Sequence, residues 1–361
     1  MAESRGATTG AGVHDGVHDG VHDGVHDGAG VPGSALAGRL VAVVVTHNRA
    51  EKLDLTLERL LAEPLVRLFA VIVVDNASTD ATPDVVGRHG ARSDRLVSHR
   101  SAVNLGGAGG FALGLRMAVE RFAPDWVVVM DDDARPLPGA IAAFHAAAGE
   151  GWDAIAAAVY EPGGAICEMN RPSRNPFWSV GGFVNLVAHV VRGRGRDGFH
   201  IPRAAYGAVR PLAIDAASFV GLFLSRRALD LAGYPDARLF IYGDDVLYTL
   251  ALSEKGGRIC FHPGIRFEHD FTTISAKGQR FVPLWKSYYH HRNLLIVYRR
   301  SAGWLFWPAL LVVLPKWLMK VRHHRGERRA YLRLLGRAVA DGLGTRLDAT
   351  LAEIEASARQ V

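Results

Sequence analysis

The run Trp126 to Pro136, WVVVMDDDARP, places three consecutive carboxylates directly after an apolar segment. Its first five residues have the length and β-branched content of a buried strand. Because like charges at a strand end raise each other's pKa unless a cation neutralises them, the run favours a bound metal ion. In an extended chain Asp131 and Asp133 would point to one side and Asp132 to the other. A solvated acidic turn that caps the next helix fits the same residues.

Two earlier apolar runs also end in polar residues. Leu40 to Thr46 precedes His47, Asn48 and Arg49, and Phe69 to Val74 precedes Asp75. A helical pattern lies between the two runs, which predicts a β-α-β unit and hence a parallel sheet. Ligands of open parallel sheets bind beyond the carboxyl ends of the strands, which is where these polar residues fall. The sequence therefore predicts an α/β fold with a ligand site at this edge.

A glycine cluster, Asn104 to Phe111, opens the next predicted helix. Glycines there let main-chain amides approach an anionic group at a helix N-terminus. Gly107, Gly109 and Ala112 also match a dinucleotide-binding spacing, with Asp131 about 20 residues further on. However, several residues separate the cluster from the preceding strand, and one ribose-binding acid does not explain three carboxylates. An NAD-dependent oxidoreductase is therefore the alternative of another class.

Three later segments carry further candidate features. Glu161 to Pro211 is rich in Gly, Pro and Arg, which predicts an irregular segment, either an insertion facing an acceptor or a surface excursion. Asp244 and Asp245 open a predicted helix, where acids also serve as ordinary caps. His269 lies between two acids after an extended segment, and a packed or surface histidine is the alternative there.

Taken together, these segments resemble the family 2 glycosyltransferases, which have the GT-A fold. The matching motifs span about Leu40 to Phe271 and are VVVTHNR, VIVVDNAS, NLGGAGGF, MDDDA, FIYGDDVLYTL and EHDF. The glycine-rich motif and the triple Asp are most similar to bacterial galactofuranosyltransferases and rhamnosyltransferases, which build cell-wall or surface polysaccharide on a lipid carrier. The resemblance implies a mostly parallel nucleotide-binding sheet flanked by helices, with a basic helical extension at the C-terminus.

The resemblance also implies roles for individual residues. It implies an inverting transfer from a nucleotide-diphospho sugar, with Mn²⁺ or Mg²⁺ neutralising the leaving diphosphate. Asp245 would take the proton from the acceptor hydroxyl, with Asp244 as its supporting group. The implied metal ligands are Asp131, Asp133 and His269. The implied nucleotide and sugar contacts are Thr46, Arg49, Asp75, Asn104, Gly106, Gly107, Asp131 and Asp132. The expected donor is a UDP-sugar, with galactofuranose preferred and dTDP-rhamnose as the alternative.

Positive charge is concentrated near the C-terminus. The formal net charge is +6, but Arg299 to Arg337 holds ten Lys or Arg residues and one acid, so the rest of the chain sums to −3. Trp304, Trp307 and Trp317 flank an apolar run there, a pattern typical of a segment on an anionic membrane leaflet. A packed helical hairpin with a solvated basic face fits equally well. Nucleic acid is disfavoured as a partner because the charge is confined to this one segment.

The aromatic and basic run from Trp285 to Asn293 is expected to hold phosphates of the donor or of a lipid-linked acceptor. No secretory signal is visible, and the uncharged run Ala302 to Pro315 is shorter than the roughly 20 residues that span a bilayer. Cys167 and Cys260 are too few for a disulfide framework and are expected as buried thiols. These features predict a cytoplasmic protein, peripheral at the inner face of the cell membrane.

Three parts are predicted along the chain. Residues 1–38 repeat Val-His-Asp-Gly four times with little apolar content, which predicts a disordered tail, although its histidines could bind metal weakly. Residues 39–275 are expected to form the glycosyltransferase domain, and residues 276–361 a helical, membrane-associating extension.

Overall fold

A computed structural model describes residues 36–271 and 280–359. The elements of the first half are β1 (Leu40–Thr46), α1 (Ala50–Leu61), β2 (Ala70–Asp75), α2 (Thr82–Arg92), β3 (Leu96–Arg100), α3 (Gly106–Phe122), β4 (Trp126–Asp131), β5 (Ala134–Pro136), α4 (Ala140–Ala147) and β6 (Ala154–Tyr160). Those of the second half are α5 (Val180–Val191), β7 (Leu212–Ile214), β8 (Leu222–Ser225), α6 (Arg226–Ala232), α7 (Asp244–Glu254), β9 (Ile259–His269), α8 (Lys286–Ala302), α9 (Phe306–Met319), α10 (Arg328–Gly344) and α11 (Leu351–Arg359).

The strands join into one sheet with the order β3-β2-β1-β4-β8-β6-β9-β5, and β7 pairs with β9. Strands β1 to β4 pair in parallel, and β6 pairs in parallel with β9. Strands β5, β7 and β8 pair antiparallel with their neighbours, so the second half of the sheet is mixed. The predicted α/β class, with flanking helices and a helical C-terminal extension, is confirmed.

The buried strands explain why the apolar runs in the sequence are continuous. All seven residues of β1 are buried. Val41, Val43 and Val45 pack on the face covered by α3, while Ala42 and Val44 pack on the face covered by α1. A parallel strand covered on both faces needs apolar residues at every position, so it lacks the alternation of a half-exposed strand.

The prediction of an irregular segment from Glu161 to Pro211 is wrong in its middle, where α5 forms. Ser179 caps this helix by accepting a hydrogen bond from the Gly182 amide at 3.1 Å. The helix has no charged side chain, and its polar positions are limited to Asn185 and His189. It also contains Gly181 and Gly182, whose helix propensity is low, so the sequence marks this helix only weakly.

The C-terminal helices share a core of their own. Tyr288 and Leu295 of α8 pack with Tyr331 and Leu334 of α10. The predicted tail, apart from its last three residues, and the predicted boundary between residues 275 and 276 both lie outside the described residues. The division at that boundary therefore stays a prediction.

Within the described ranges, one helical stretch, Lys286–His323, is long and apolar enough to cross a membrane by length and composition. Of its most apolar window, 22% is buried. Helix α8 ends just before Gly303, which has a φ of 53°, and α9 begins at Phe306. Tyr288, Tyr289 and Phe306 within the stretch are buried in protein. Length and composition therefore do not by themselves make it a spanning segment.

Candidate active site

Three strand ends meet at the carboxyl edge of the parallel half of the sheet. In the strand register Thr46 lies opposite Asp75, and Val45 lies opposite Asp131. Thr46 and Asp75 are almost fully buried. One carboxylate oxygen of Asp75 accepts a hydrogen bond from the Ser78 amide at 2.9 Å. The sheet thus brings together the three strand-end positions that the sequence predicted as ligand contacts.

Asp131, Asp133 and His269 offer ligand atoms that all lie within 4.8 Å of one another. His269 ends β9, whose antiparallel pairing with β5 sets His269 opposite Ala134. The His269 Nε2 atom lies 3.0 Å from Asp133 Oδ1. The register between these two strands therefore places a distant histidine beside the triple Asp.

Asp132 points to a different set of partners. One of its carboxylate oxygens accepts from the His47 amide and the other from Arg49 Nη1, each at 3.4 Å. Arg49 also forms an ion pair with Asp133. Asp132 therefore has the His47 amide as a separate partner, but it shares Arg49 with Asp133. Asp132 and Asp133 lie in a turn after β4 rather than in the extended backbone that the sequence predicted.

Burial and mutual repulsion dominate the electrostatics of the triple Asp. Burial and the charge of Asp133 raise the pKa of Asp131 to about 7. Burial also raises the pKa of Asp132 to about 7, against the charge of Arg49. Burial alone would raise the pKa of Asp133, but the hydrogen bond and charge of His269 lower it. Burial alone would lower the pKa of His269, but its contact with Asp133 raises it to about 10.

Asn170 is a site residue that sequence reasoning missed. Its Oδ1 atom lies 2.7 Å from His269 Nδ1, and its Nδ2 donates to Ser218 Oγ at 2.9 Å. The buried Cys167 thiol lies 3.9 Å from the same imidazole nitrogen. Because Oδ1 can only accept, the imidazole carries hydrogen on Nδ1, and its Nε2 is directed at Asp133. No sequence motif marks Asn170, because its role depends on a contact 99 positions away.

The glycine cluster is shaped mainly by protein packing. Gly106 has a φ of +69°, and a Cβ atom there would lie 2.2 Å from the Phe240 carbonyl oxygen. A Cβ at Gly110 would lie 2.5 Å from a methyl group of Val45 on β1. Asn104 Oδ1 accepts from the Gly106 amide at 2.8 Å. Only Gly107, of the two glycines predicted as nucleotide contacts, faces open space.

The second acidic pair opens α7. Asp245 accepts a hydrogen bond from the Val246 amide at 2.7 Å, and burial raises its pKa to about 6. Burial and the charge of Asp245 raise the pKa of Asp244, to which Asp131 also contributes. Asp244 therefore lies within electrostatic reach of Asp131.

The loop before Asp244 has an unusual backbone. Phe240, Tyr242 and Gly243 all have positive φ values, of 66°, 67° and 77°. Asn293 of α8 donates through Nδ2 to the carbonyl oxygens of residues 239, 241 and 242, at 2.9, 2.8 and 2.8 Å. Arg292 donates to two carbonyl oxygens of the same loop. Helix α8 thus holds the loop that leads to the acidic pair.

This geometry corrects one expectation. Arg292 and Asn293 are fully buried and engage main-chain carbonyls, so they are not available to donor or acceptor phosphates. In the same run Lys286 is only half-buried, and burial together with the charge of Arg49 lowers its pKa. Lys286 therefore lies within electrostatic reach of Arg49.

Residues 41–196 match the family Glycosyl transferase family 2. The chain is 31% identical over 218 residues to the galactofuranosyltransferase GlfT1 of Mycolicibacterium smegmatis, and 32% identical over 217 residues to GlfT1 of Mycobacterium tuberculosis. Residues 41–196 therefore resemble a glycosyltransferase family 2 domain. The first alignment covers 60% of the chain and 65% of the relative, so the chain spans just under two thirds of that relative's length.

The glycosyltransferase fold is also found in a solved mannosyltransferase, PcManGT from Pyrobaculum calidifontis, in complex with GDP-Man and Mn²⁺. The similarity covers 90% of this chain and 80% of that one, with a TM-score of 0.50 and 18% sequence identity. This likeness shows the shared GT-A fold. The family match favours the transferase over the dinucleotide oxidoreductase considered from the glycine spacing.

Asp131, Asp133 and His269 present a set of ligand atoms that fits a divalent cation. Two carboxylates and one imidazole within 4.8 Å are ligand types that suit Mn²⁺ and also Mg²⁺. The second nitrogen of the imidazole is fixed by Asn170, as is usual for histidines that bind metals. The residues present therefore fit the cofactor that the family implies.

Proposed function

We propose that this glycosyltransferase moves a sugar from a nucleotide-diphospho donor to a lipid-linked or polysaccharide acceptor, with a divalent metal and with inversion of the anomeric centre. The observation that carries the proposal is the convergence of Asp131, Asp133 and His269 within 4.8 Å beside the strand ends of Thr46 and Asp75. Galactofuranose is the preferred sugar, because the matched relatives are galactofuranosyltransferases.

In the proposed mechanism Asp131, Asp133 and His269 would hold Mn²⁺ or Mg²⁺, which when bound neutralises the charge that develops on the leaving diphosphate. Asp245 takes the proton from the acceptor hydroxyl as that oxygen bonds to the anomeric carbon and the bond from this carbon to the diphosphate oxygen breaks. A single displacement of this kind inverts the anomeric centre. Asp244 supports Asp245 from the adjacent position on α7.

The nucleotide would lie along the strand ends. We propose contacts from Thr46, from Asp75 and from the main chain at Gly107, which faces open space. Arg49 and Asp132, which pair at 3.4 Å, would face the diphosphate and the sugar. Asn104 and Gly106 would act indirectly, because Asn104 accepts a hydrogen bond from the Gly106 amide at the start of α3 and Gly106 packs against the loop of Phe240.

We also propose that the protein works at the cytoplasmic face of a membrane, through its C-terminal helices. Trp304, Trp307 and Leu311 are 79%, 57% and 79% exposed. Lys316 and Lys320 follow on the same segment without an intervening acid. Exposed Trp beside cations is the composition of a segment that lies on an anionic leaflet.

Nucleotide release from a panel of sugar nucleotides tests the enzymatic proposal. UDP-galactofuranose, dTDP-rhamnose and GDP-mannose are each incubated with membrane extract as acceptor, with Mn²⁺ or with excess chelator. We expect release of UDP from UDP-galactofuranose that requires Mn²⁺ and is abolished in Asp133→Ala. Asp84→Ala, an exposed acid on α2, is the matched control.

Each contrary outcome has a separate meaning. Full activity in chelator would refute the metal role, and release of dTDP alone would replace galactofuranose by rhamnose. A thermal shift with NAD and none with UDP would favour the oxidoreductase.

A further inference from the structure

Helix α5 exposes an apolar stripe to solvent. Its twelve residues include no charged side chain, and none of them is buried. Six apolar side chains are 36% exposed or more: Val180, Phe183, Val184, Val187, Val190 and Val191. They recur at spacings of three and four, so they form one continuous face. No other described element covers this face.

Only positive charge accompanies the stripe. Arg192, Arg194 and Arg196 follow α5 and are exposed, and no acid occurs between Val180 and Arg196. Arg192 and Arg196 donate to main-chain carbonyl oxygens rather than to carboxylates. The next acid in the chain, Asp197, pairs with Arg171 at 2.6 Å. An apolar stripe edged by cations is complementary to a surface that is apolar inside and anionic outside.

The start of α5 lies beside the C-terminal apolar helices. Asn175 donates to the carbonyl oxygen of Ser301, at the end of α8, over 3.1 Å. Phe177 packs against the core cluster that contains Phe306, the first residue of α9. Trp178, just before α5, is 44% exposed. Two apolar, acid-free segments more than 100 positions apart therefore begin at the same corner of the molecule.

We propose that α5 is a second membrane-contacting element, which binds an anionic lipid surface through its apolar stripe and the three arginines that follow. The proposal rests on the membrane location proposed above but not on the identity of the sugar donor. The segment that contains α5 also contains Asn170, whose side chain contacts His269. One stretch of chain therefore connects the proposed lipid contact with the candidate metal site.

Vesicle sedimentation of the full-length protein tests the proposal, with vesicles that contain phosphatidylglycerol and vesicles of phosphatidylcholine alone. The variant is Val184→Glu with Val187→Glu, and the matched control is Val209→Glu, a valine that is 93% exposed outside α5. We expect at least about tenfold weaker binding to the anionic vesicles for the double variant, which corresponds to about 1.4 kcal/mol. The control should bind like the wild type.

Two further measurements separate this inference from the proposed function. The double variant should keep wild-type UDP release in the absence of vesicles and a wild-type melting temperature, because both valines are exposed. Trp307→Glu with Leu311→Glu tests the C-terminal helices alone. If this second pair abolishes vesicle binding while the α5 variant binds like the wild type, the membrane location stands and the role of α5 is refuted.

Other occupants of the stripe give distinct results, each of which would overturn the proposal. A dimer that becomes a monomer in the α5 variant, with vesicle binding unchanged, would assign the stripe to a second copy of the chain. Light scattering after size exclusion measures this. In a third outcome, the full-length protein does not bind vesicles, but a variant that lacks residues 1–35 binds them through α5. This result would mean that residues 1–35, rather than lipid, occupy the stripe.

Discussion

Replacing Asn293 by Asp should displace the loop from Leu239 to Gly243, which precedes Asp244 and Asp245. Binding of the nucleotide at the strand ends should be retained. The side chain keeps its shape, but the Nδ2 donor that serves the carbonyl oxygens of Leu239, Ile241 and Tyr242 is lost. A carboxylate oxygen would instead face three oxygen atoms in a fully buried position. We expect the loop from Leu239 to Gly243 to move away and to carry Asp245 with it.

The magnitude follows from the bonds that are lost. Two N–H groups, each contributing about 1 kcal/mol, disappear, and carbonyls left without a partner add about 1 kcal/mol or more. The total is about 3 kcal/mol, and each 1.4 kcal/mol corresponds to about a tenfold change in rate. Phe240 and Tyr242 also hold left-handed backbone that costs about 1 kcal/mol each, so the released loop relaxes rather than staying in place. We therefore expect kcat to fall on the order of 100-fold.

Steady-state nucleotide release with detergent-solubilised membrane extract as acceptor measures kcat, and calorimetry measures UDP binding. Asn293→Asp should bind UDP within about threefold of the wild type, because the strand ends are untouched. Asn185→Asp is the control, since its Nδ2 also donates to a carbonyl oxygen, that of Gly198 at 3.2 Å, but not to the loop that precedes α7. A wild-type kcat for Asn293→Asp would refute the inference that α8 positions the loop from Leu239 to Gly243.

Three further predictions concern individual groups. Asp245 must be ionised to accept a proton, and burial raises its pKa to about 6. We therefore expect kcat/KM to be level above pH 6 and to fall about tenfold per pH unit below it. A profile without this decrease at low pH would exclude Asp245 as the base. Asn170→Leu should weaken Mn²⁺ binding about 10- to 100-fold in a paramagnetic resonance titration, because His269 loses the acceptor that fixes its tautomer; unchanged affinity would make the contact incidental. Gly106→Ala should lower the melting temperature by several degrees, since its Cβ would meet the Phe240 carbonyl at 2.2 Å, whereas Gly107→Ala, with open space around it, should not.

The parallel half of the fold could be predicted from sequence because its determinants are local. Strands β1, β2 and β4 are buried on both faces, so each reads as an unbroken apolar run that ends in a polar residue. Strand β5 could not be found in this way, because Ala134–Pro136 is only three residues long and is defined by its pairing with β9. Helix α5 was missed because it has no charged face and contains Gly181 and Gly182, which lower its helix propensity.

In the candidate site, too, residues that cluster in the sequence could be predicted, whereas residues that act through contacts between distant segments could not. The acids of the triple Asp and of α7 are visible as clusters in the sequence, and the grouping of His269 with them came from the family resemblance. Asn170 could not be predicted, because it acts through the fold rather than through a motif. Arg292 was misread because a cation in an aromatic run looks like a phosphate ligand, whereas the structure uses it to satisfy carbonyl oxygens inside the protein.

The separation of Asp133 and His269 along the chain also affects how the protein is synthesised. A ribosome adds about 5–20 residues per second, so His269 emerges roughly 7 to 27 seconds after Asp133, which lies 136 positions earlier. Arg49, in contrast, precedes the triple Asp and pairs with both Asp132 and Asp133. The nascent half-sheet of β1 to β4 therefore already contains a cation for these carboxylates, and it can form before either the imidazole or a metal ion arrives.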